Sequence, residues 1–265
     1  MIKENAVRQA LPWVPQIEKF PSIGAGRSDA ANDEPFLPPP PPSLGSRLAN
    51  FGGRQKRYKV QRHTQLRVYD PFACAYVEFS HERYMLAWLL MRFCPAIDQL
   101  NHAPQPVGFM SAGRPTLARP HLTWRIVASN RRVFFWLRQE WSEEQRFRLS
   151  TFSQTHAVDV VLAGWDELTS QGQLLNNLQT GRQRMATVHH SGLDTRRVAQ
   201  DILGHLRAKN GRATRGDVGG TLCRRACEDC HSQVDAALFH FLAVGRLKFD
   251  LQAAAFGDDT LLRSA

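Results

Sequence analysis

With 265 residues, the chain is long enough for one large domain or two modest ones, each with its own hydrophobic core. Its formal net charge of +10 indicates a polyanionic partner, either nucleic acid or an anionic membrane surface. A membrane-spanning helix is excluded because no stretch of about 18 uncharged apolar residues is present, and the first residues lack the apolar core of a signal peptide. Five scattered cysteines do not make a disulfide framework, so we expect a reducing, cytoplasmic location.

Residues 1–57 predict a disordered, Pro-rich tail rather than a folded domain. Proline interrupts the short apolar patches, and residues 38–42 are all proline. Such a run favours extended polyproline II and cannot donate backbone hydrogen bonds. The tail serves either as a stiff spacer or as a docking peptide whose anchors for a partner protein are Trp13, Phe20 and Phe36.

Basic residues cluster between Ser46 and Arg67, where they are interleaved with Phe51 and Tyr58. This pattern is typical of a segment that contacts phosphates, and equally of a solvated basic loop. The side chains predicted to contact DNA here are Arg54, Lys56, Arg57, Lys59 and Arg62.

The next part of the chain predicts a strand followed by a helix. Leu66 to Tyr69 is a short strand candidate, and the run from Glu78 to Pro95 predicts a helix because its apolar residues fall largely on one broad face. Glu82 interrupts the apolar residues near the start of this helix. Its carboxylate either points to solvent or is a metal ligand at the edge of a cleft.

Short β-type runs then alternate with turns as far as Arg138, and a helix and a strand follow. Strands are predicted at residues 107–110, 123–127 and 133–137, with a hairpin turn over residues 129–132. Ser142 predicts the start of a helix with acidic residues in its first turn, and residues 157–162 predict a buried strand. This order of elements is typical of an α/β domain.

The last hundred residues predict helices and a small sheet. A helix is expected from Asp166 to Met185, and a second one is capped by Asp194. Shorter helices follow at Thr214 and over residues 228–244, and a turn and strand cover residues 245–251. Three helices followed by a small β wing are typical of a winged helix, a variant of the helix-turn-helix.

Three cysteines with an adjacent histidine raise the question of a metal site. Cys223, Cys227, Cys230 and His231 carry side chains that ligate zinc in other proteins. The usual second pair of ligands is absent, and on a helix the three cysteines share one face, where they act as small apolar residues. We therefore do not expect zinc at these cysteines.

From about Phe72 to Ser264 the chain resembles TnsA, the endonuclease subunit of heteromeric transposases. In that family a helix carries a Glu, a segment ending in Gln-Pro follows, then a Pro-Asp strand, then a strand ending in (Glu/Gln)-x-Lys. The matching stretches are Ser80-His-Glu82, Gln105-Pro106, Pro120-His121 and Trp136-Leu-Arg138. Asn177-Leu resembles the family's linker helix, and residues 245–251 resemble the end of its winged-helix domain.

This resemblance implies a restriction-endonuclease-like mixed sheet flanked by helices over residues 58–165 and a winged-helix domain over residues 166–265. It also implies a subunit that binds transposon ends beside a recombinase subunit and an AAA+ ATPase, in a bacterial-type cytosol at the nucleoid. The basic side chains expected to contact DNA in these domains are Arg131, Arg132, Arg182, Arg184, Arg246 and Lys248.

The candidate catalytic residues that the resemblance gives are Glu82, His121, Arg138 and Glu140. In the family, carboxylates hold Mg²⁺ ions that polarise the phosphate, and a Lys stabilises charge. Glu82 matches the family's Glu and is the candidate Mg²⁺ ligand, whereas His121 stands at the Asp position and Arg138 at the Lys position. Trp136 replaces the Glu or Gln, with Gln139 and Glu140 as possible substitutes.

Because Mg²⁺ favours oxygen ligands, we expect a degenerate nuclease centre and loss of 5′-end cleavage. One alternative is an active, atypical PD-(D/E)xK-type nuclease in which Glu82, His121 and Glu140 suffice. The other is a winged-helix DNA-binding regulator.

Overall fold

The computed structural model describes residues 66–223 and 228–265 and begins with a two-stranded antiparallel hairpin. Its strands are β1, Leu66–Asp70, and β2, Ala75–Phe79. The strand predicted at Leu66 is confirmed, but the helix predicted from Glu78 starts later. In β2 exposed Tyr76 and Glu78 alternate with buried Val77 and Phe79, and this period of two is that of a strand.

Helix α1, Glu82–Arg92, follows the hairpin and is central to the packing. His81 is its N-cap, and its ring nitrogen Nδ1 accepts a hydrogen bond from the Arg83 backbone N–H at 3.1 Å. The helix is buried on most of its sides, with Trp88 and Leu89 almost fully enclosed.

A four-stranded mixed sheet packs on α1. Its strands are β3 (Ile97–Asn101), β6 (Leu122–Ile126), β7 (Arg131–Arg138) and β8 (Asp159–Gly164), and they lie in that order. The first three run antiparallel, whereas β8 is parallel to β7. A parallel neighbour requires a crossover, which is helix α2, Glu143–His156. The α/β class with a mixed sheet and flanking helices is therefore confirmed.

A second hairpin lies between β3 and β6 in the chain, and its Phe109 packs against Phe152 of α2. It consists of β4, Val107–Ser111, and β5, Arg114–Ala118. The sequence analysis predicted a strand at β4 but none at β5. Two consecutive residues of positive φ, Ala112 and Gly113, form the tight turn between β4 and β5.

The part of the chain after the sheet is helical, with a small sheet at its end. The helices are α3 (Trp165–Thr169), α4 (Gly172–His190), α5 (Arg196–Ala208), α6 (Arg215–Leu222) and α7 (Glu228–Ala243). The strands β9 (Arg212–Thr214), β10 (Leu247–Lys248) and β11 (Leu261–Ser264) form an antiparallel sheet in the order β10-β11-β9. The single helix expected from Asp166 to Met185 is thus two helices.

The sheet separates two apolar clusters because successive residues of β7 point to opposite faces. Val133, Phe135 and Leu137 belong to the main core with α1 and α4, whereas Phe134 and Trp136 pack on the α2 side. The main core also contains Leu175 and Phe239, so it includes side chains from both sides of the predicted boundary at residue 165. The division into two domains stays a prediction.

Two further expectations concern cysteines and membranes. Cys223 and Cys230 form a disulfide between the end of α6 and the first turn of α7. The sequence did not predict this disulfide, while Cys74 and Cys94 are free. None of the helices in residues 66–223 and 228–265 is long and apolar enough to cross a bilayer. The predicted tail, residues 1–57, and Cys227 lie outside the described residues.

Candidate functional site

The first turn of α1, the residue before β6 and the end of β7 meet at one end of the mixed sheet. His121 precedes β6, and its backbone N–H donates to the Phe135 carbonyl at 2.9 Å. The His121 ring stacks on Tyr84 in the first turn of α1, with ring centroids 4.2 Å apart and planes 20° from parallel. The structure therefore brings His121 against the helix turn that begins with Glu82.

His121 is a hydrogen-bond donor rather than a metal ligand. Its Nδ1 accepts a hydrogen bond from the Leu137 backbone N–H at 3.0 Å. A neutral imidazole has one acceptor nitrogen and one N–H, so the proton is on Nε2 and no ring lone pair is left for a cation. Burial, together with the charge of Arg138, lowers the pKa of His121 to about 4, so the ring is neutral at pH 7.

The two other positions on β7 also lack metal ligands. Trp136 is 4% exposed and packs against Phe152 at a centroid distance of 5.6 Å, within the apolar cluster on the α2 side. Arg138 is exposed at the end of β7, and its guanidinium lies 5.6 Å from the ring centre of Trp141. That indole is fixed by a hydrogen bond from its Nε1 to the Ala163 carbonyl at 3.1 Å.

The two candidate carboxylates do not complete a metal centre. Glu82 is exposed as the first residue of α1, and Glu140 is exposed in the loop between β7 and α2. Among the described residues, no group of three His, Cys, Asp or Glu side chains is arranged to hold a metal ion. The residues at this place therefore do not fit Mg²⁺, which needs several oxygen ligands. No group that could hold zinc is found at Cys223 and Cys230 within the described residues either, and their sulfur atoms are joined in the disulfide.

A second imidazole and a second guanidinium lie at the N-terminus of α1. His81 accepts at Nδ1, so its Nε2 is the donor, and its ring stacks over Trp165 at 6.3 Å. The guanidinium of Arg83 lies 3.6 Å from the centre of the same indole. Imidazole donors, guanidinium groups and a helix N-terminus favour an anion such as phosphate.

Sequence reasoning missed three of these side chains, His81, Arg83 and Tyr84. Each of them precedes or begins the apolar run of α1, where a cap and polar first-turn residues are expected. The run of aromatic and basic residues beside Glu82 was the available signal for a binding site there.

The basic residues predicted to contact DNA are dispersed in the structure. Arg131 forms an ion pair with Asp159, and Arg132 beside it is exposed. Arg182 is half-buried, which lowers its pKa, and its guanidinium donates to the Tyr69 carbonyl at 3.4 Å. The remaining predicted contacts within the described residues are exposed, namely Arg184, Arg246 and Lys248. Arg54, Lys56, Arg57, Lys59 and Arg62 lie outside the described residues.

The buried state of His121 predicts a specific pH dependence of stability. The unfolded chain protonates this ring below its ordinary pKa of 6.5, whereas the folded protein does so only near pH 4. The contribution of the neutral ring to the free energy of unfolding is therefore fully present above pH 6.5 and is lost as the pH falls through 4. At pH 5 the free energy of unfolding is already lower by about 2 kcal/mol. The measurement is urea unfolding of wild type and His121→Asn between pH 7 and pH 4.5.

His121→Asn keeps an acceptor at the Nδ1 position for the Leu137 N–H but does not titrate. All other histidines are common to both proteins, so the difference between the two curves isolates His121. Parallel curves for wild type and variant would show that the ring titrates alike in the folded and unfolded chains.

Comparison with known protein families, with curated proteins and with solved structures finds no match to this chain.

Proposed function

We propose that this protein is a TnsA-like subunit of a heteromeric transposase that binds transposon ends but no longer cleaves them. The observation that carries the proposal is the element order α1, β3, β6, β7, α2, β8, with β8 parallel to β7. Helix, hairpin, helix and strand in this order are what the resemblance to that nuclease family implies. Its partners would then be DNA, a recombinase subunit and an AAA+ ATPase.

The arrangement after residue 195 supports the second half of the proposal. The elements follow in the order α5, β9, α6, α7, β10, β11, and the three strands form an antiparallel sheet. Three helices with such a sheet are the components of a winged helix. Together with the mixed sheet, they support the two-part organisation that the resemblance implies.

Loss of cleavage follows from the chemistry at the end of the sheet. A nuclease of this kind needs carboxylates that hold a divalent cation near the phosphate. Here Glu82 is exposed at the start of α1, and His121 Nδ1 is already engaged by the Leu137 backbone N–H. The cationic Arg138 replaces a lysine, and Trp136 is buried in an apolar cluster. Neutral N–H donors and guanidinium groups can still bind a phosphodiester without a metal.

The alternative of a winged-helix regulator is disfavoured by α7, which would be the recognition helix. A recognition helix enters the major groove with exposed polar and basic side chains. Helix α7 contains no Lys or Arg, and the residues from Val234 to Phe239 are all buried. The observations therefore favour DNA contacts by other surfaces.

Cleavage assays on labelled duplexes that carry the ends of the encoding element test the proposal. We expect wild type to bind these duplexes with an affinity that falls as salt rises, because phosphate contacts dominate. With or without the recombinase, neither Mg²⁺ nor Mn²⁺ should produce a cut, and Glu82→Ala should behave as wild type. Binding is measured by fluorescence anisotropy and cutting by denaturing gel electrophoresis.

Two outcomes would contradict the proposal in different ways. Nicking at the 5′ end that disappears in Glu82→Ala would establish an active nuclease centre. Failure of wild type to bind any duplex at low salt would exclude the role at DNA ends.

A further inference from the structure

A row of three cations crosses the small sheet. In the antiparallel register Arg212 on β9 lies opposite Arg263 on β11, and Arg263 lies opposite Lys248 on β10. All three side chains are exposed. The other face of the sheet carries Ala213, Leu247 and Leu262, which are buried in the apolar cluster beneath. Because side chains alternate between faces, burial of these apolar residues forces the three cations outward together.

The row has no compensating carboxylate in the described part of the chain. None of the ion pairs formed there includes Arg212, Lys248 or Arg263. Two carboxylates on neighbouring elements are engaged elsewhere, since Asp217 accepts from the backbone N–H of Thr214 and Asp258 pairs with Arg215. Like charges directly opposite each other destabilise a sheet, so this face gains stability when a polyanion covers it.

We propose that the outer face of the sheet β10-β11-β9 binds the phosphate backbone of double-stranded DNA. The proposal rests on the proposed function and identifies a surface that would hold the DNA. The row spans roughly 10 Å, twice the strand spacing, and flexible Arg and Lys side chains can spread over two or three phosphates from it. Exposed Arg246 lies immediately before β10, two residues from Lys248, and adds another positive charge to this end of the sheet.

The remaining side chains on this face indicate duplex rather than single-stranded DNA. Single-stranded nucleic acid is held by aromatic side chains on which unpaired bases stack. The other outward residues of the paired strands are Thr214 and Leu261, which lie opposite each other and offer no aromatic ring. Contacts to phosphates alone carry no sequence information, so this surface positions DNA whatever its sequence.

The test compares two triple variants that remove the same charge. One is Arg212→Gln with Lys248→Gln and Arg263→Gln. The matched control replaces three exposed arginines outside the sheet, Arg114, Arg119 and Arg197, by Gln. Anisotropy of a short labelled duplex over a salt series gives the slope of log K against log salt. We expect the row variant to reduce the steepness of that slope by about 0.9 for each lost phosphate contact, which makes a total reduction of between about two and three. The control variant should leave the slope unchanged.

Each other outcome has a definite meaning. If wild type binds DNA and both triple variants keep its slope, the sheet is not the DNA surface and the proposed function stands. If wild type fails to bind duplex at low salt, both proposals are overturned, and binding to phosphatidylserine vesicles instead would assign the row to a membrane. Circular dichroism verifies folding, and Arg263→Gln alone, at the centre of the row, replaces any triple variant that unfolds, with an expected slope change of about one.

Discussion

Gly181→Ala is expected to lower the free energy of unfolding by about 3 kcal/mol or more. Gly181 lies in α4, which packs against α7, and a Cβ atom there would be 2.2 Å from Cδ1 of Phe239. The Phe239 ring is fully buried and contacts Phe93, Phe249 and Phe256, so it cannot move aside without disturbing the main core. Urea unfolding followed by circular dichroism measures the loss.

The sign of this effect makes the test specific. In an unobstructed helix interior, replacing Gly by Ala stabilises by about 0.5–1 kcal/mol. Gly204 in α5 provides that control, because no atom lies within 4 Å of the Cβ it would acquire. We therefore expect Gly204→Ala to stabilise the protein while Gly181→Ala destabilises it. A gain in stability from both substitutions would contradict the close packing of α4 on α7.

Asn177→Leu is expected to destabilise the protein by about 3–5 kcal/mol. Asn177 is 4% exposed in α4, and its side chain holds the loop between β10 and β11. Its Nδ2 donates to the carbonyls of Leu251 and Ala254, both at 2.8 Å, and its Oδ1 accepts from the Phe256 N–H at 2.9 Å. Leucine has a similar volume but leaves three backbone groups without these partners, each costing about 1–3 kcal/mol.

The neighbouring residue provides the control for this substitution. Asn176 is exposed on the same helix, so Asn176→Leu changes the same atoms without touching the loop. We expect it to alter stability by less than about 0.5 kcal/mol. Proteolysis at low trypsin concentration provides a second readout, because release of the loop from Asn177 should expose the peptide bond after Lys248, where the loop begins. Equal stability of the two variants would show that the loop is held by its apolar side chains alone.

The elements predicted correctly are those with strong local signals. Ser142 starts α2 because its side chain and that of Gln145 form a reciprocal capping box. Strands β7 and β8 are runs of apolar, mainly β-branched and aromatic residues, which favour a buried strand. The Thr214 start of α6 is likewise a capping box, with Asp217 as the partner.

Errors occurred where local signals competed with one another. Glu78 and Phe79 are compatible with the start of a helix or the end of a strand. They belong to a strand because they pair with Arg67 and Leu66. Such pairing depends on the register of two strands, and the composition of one run does not determine it.

The candidate site was predictable in some of its residues but not in its chemistry. The resemblance points to Glu82, His121 and Arg138, and the structure brings the neighbours of Glu82 against His121. The role of His121 depends on a hydrogen bond from Leu137, which becomes a partner only when β6 and β7 pair. The row of Arg212, Lys248 and Arg263 depends in the same way on the register of distant strands. A single sequence does not specify such contacts.

The composition of the main core has a consequence for synthesis of the protein. This core includes Val68 near the start of the described chain and Phe239 and Leu251 near its end. During synthesis, the apolar surface of Trp88 and the rest of α1 would therefore stay exposed until α7 has left the ribosome. Nascent chains with exposed apolar surface aggregate more readily and depend on chaperones. We expect that folding is completed only after translation, and that a chain interrupted before α7 is a target for proteolysis.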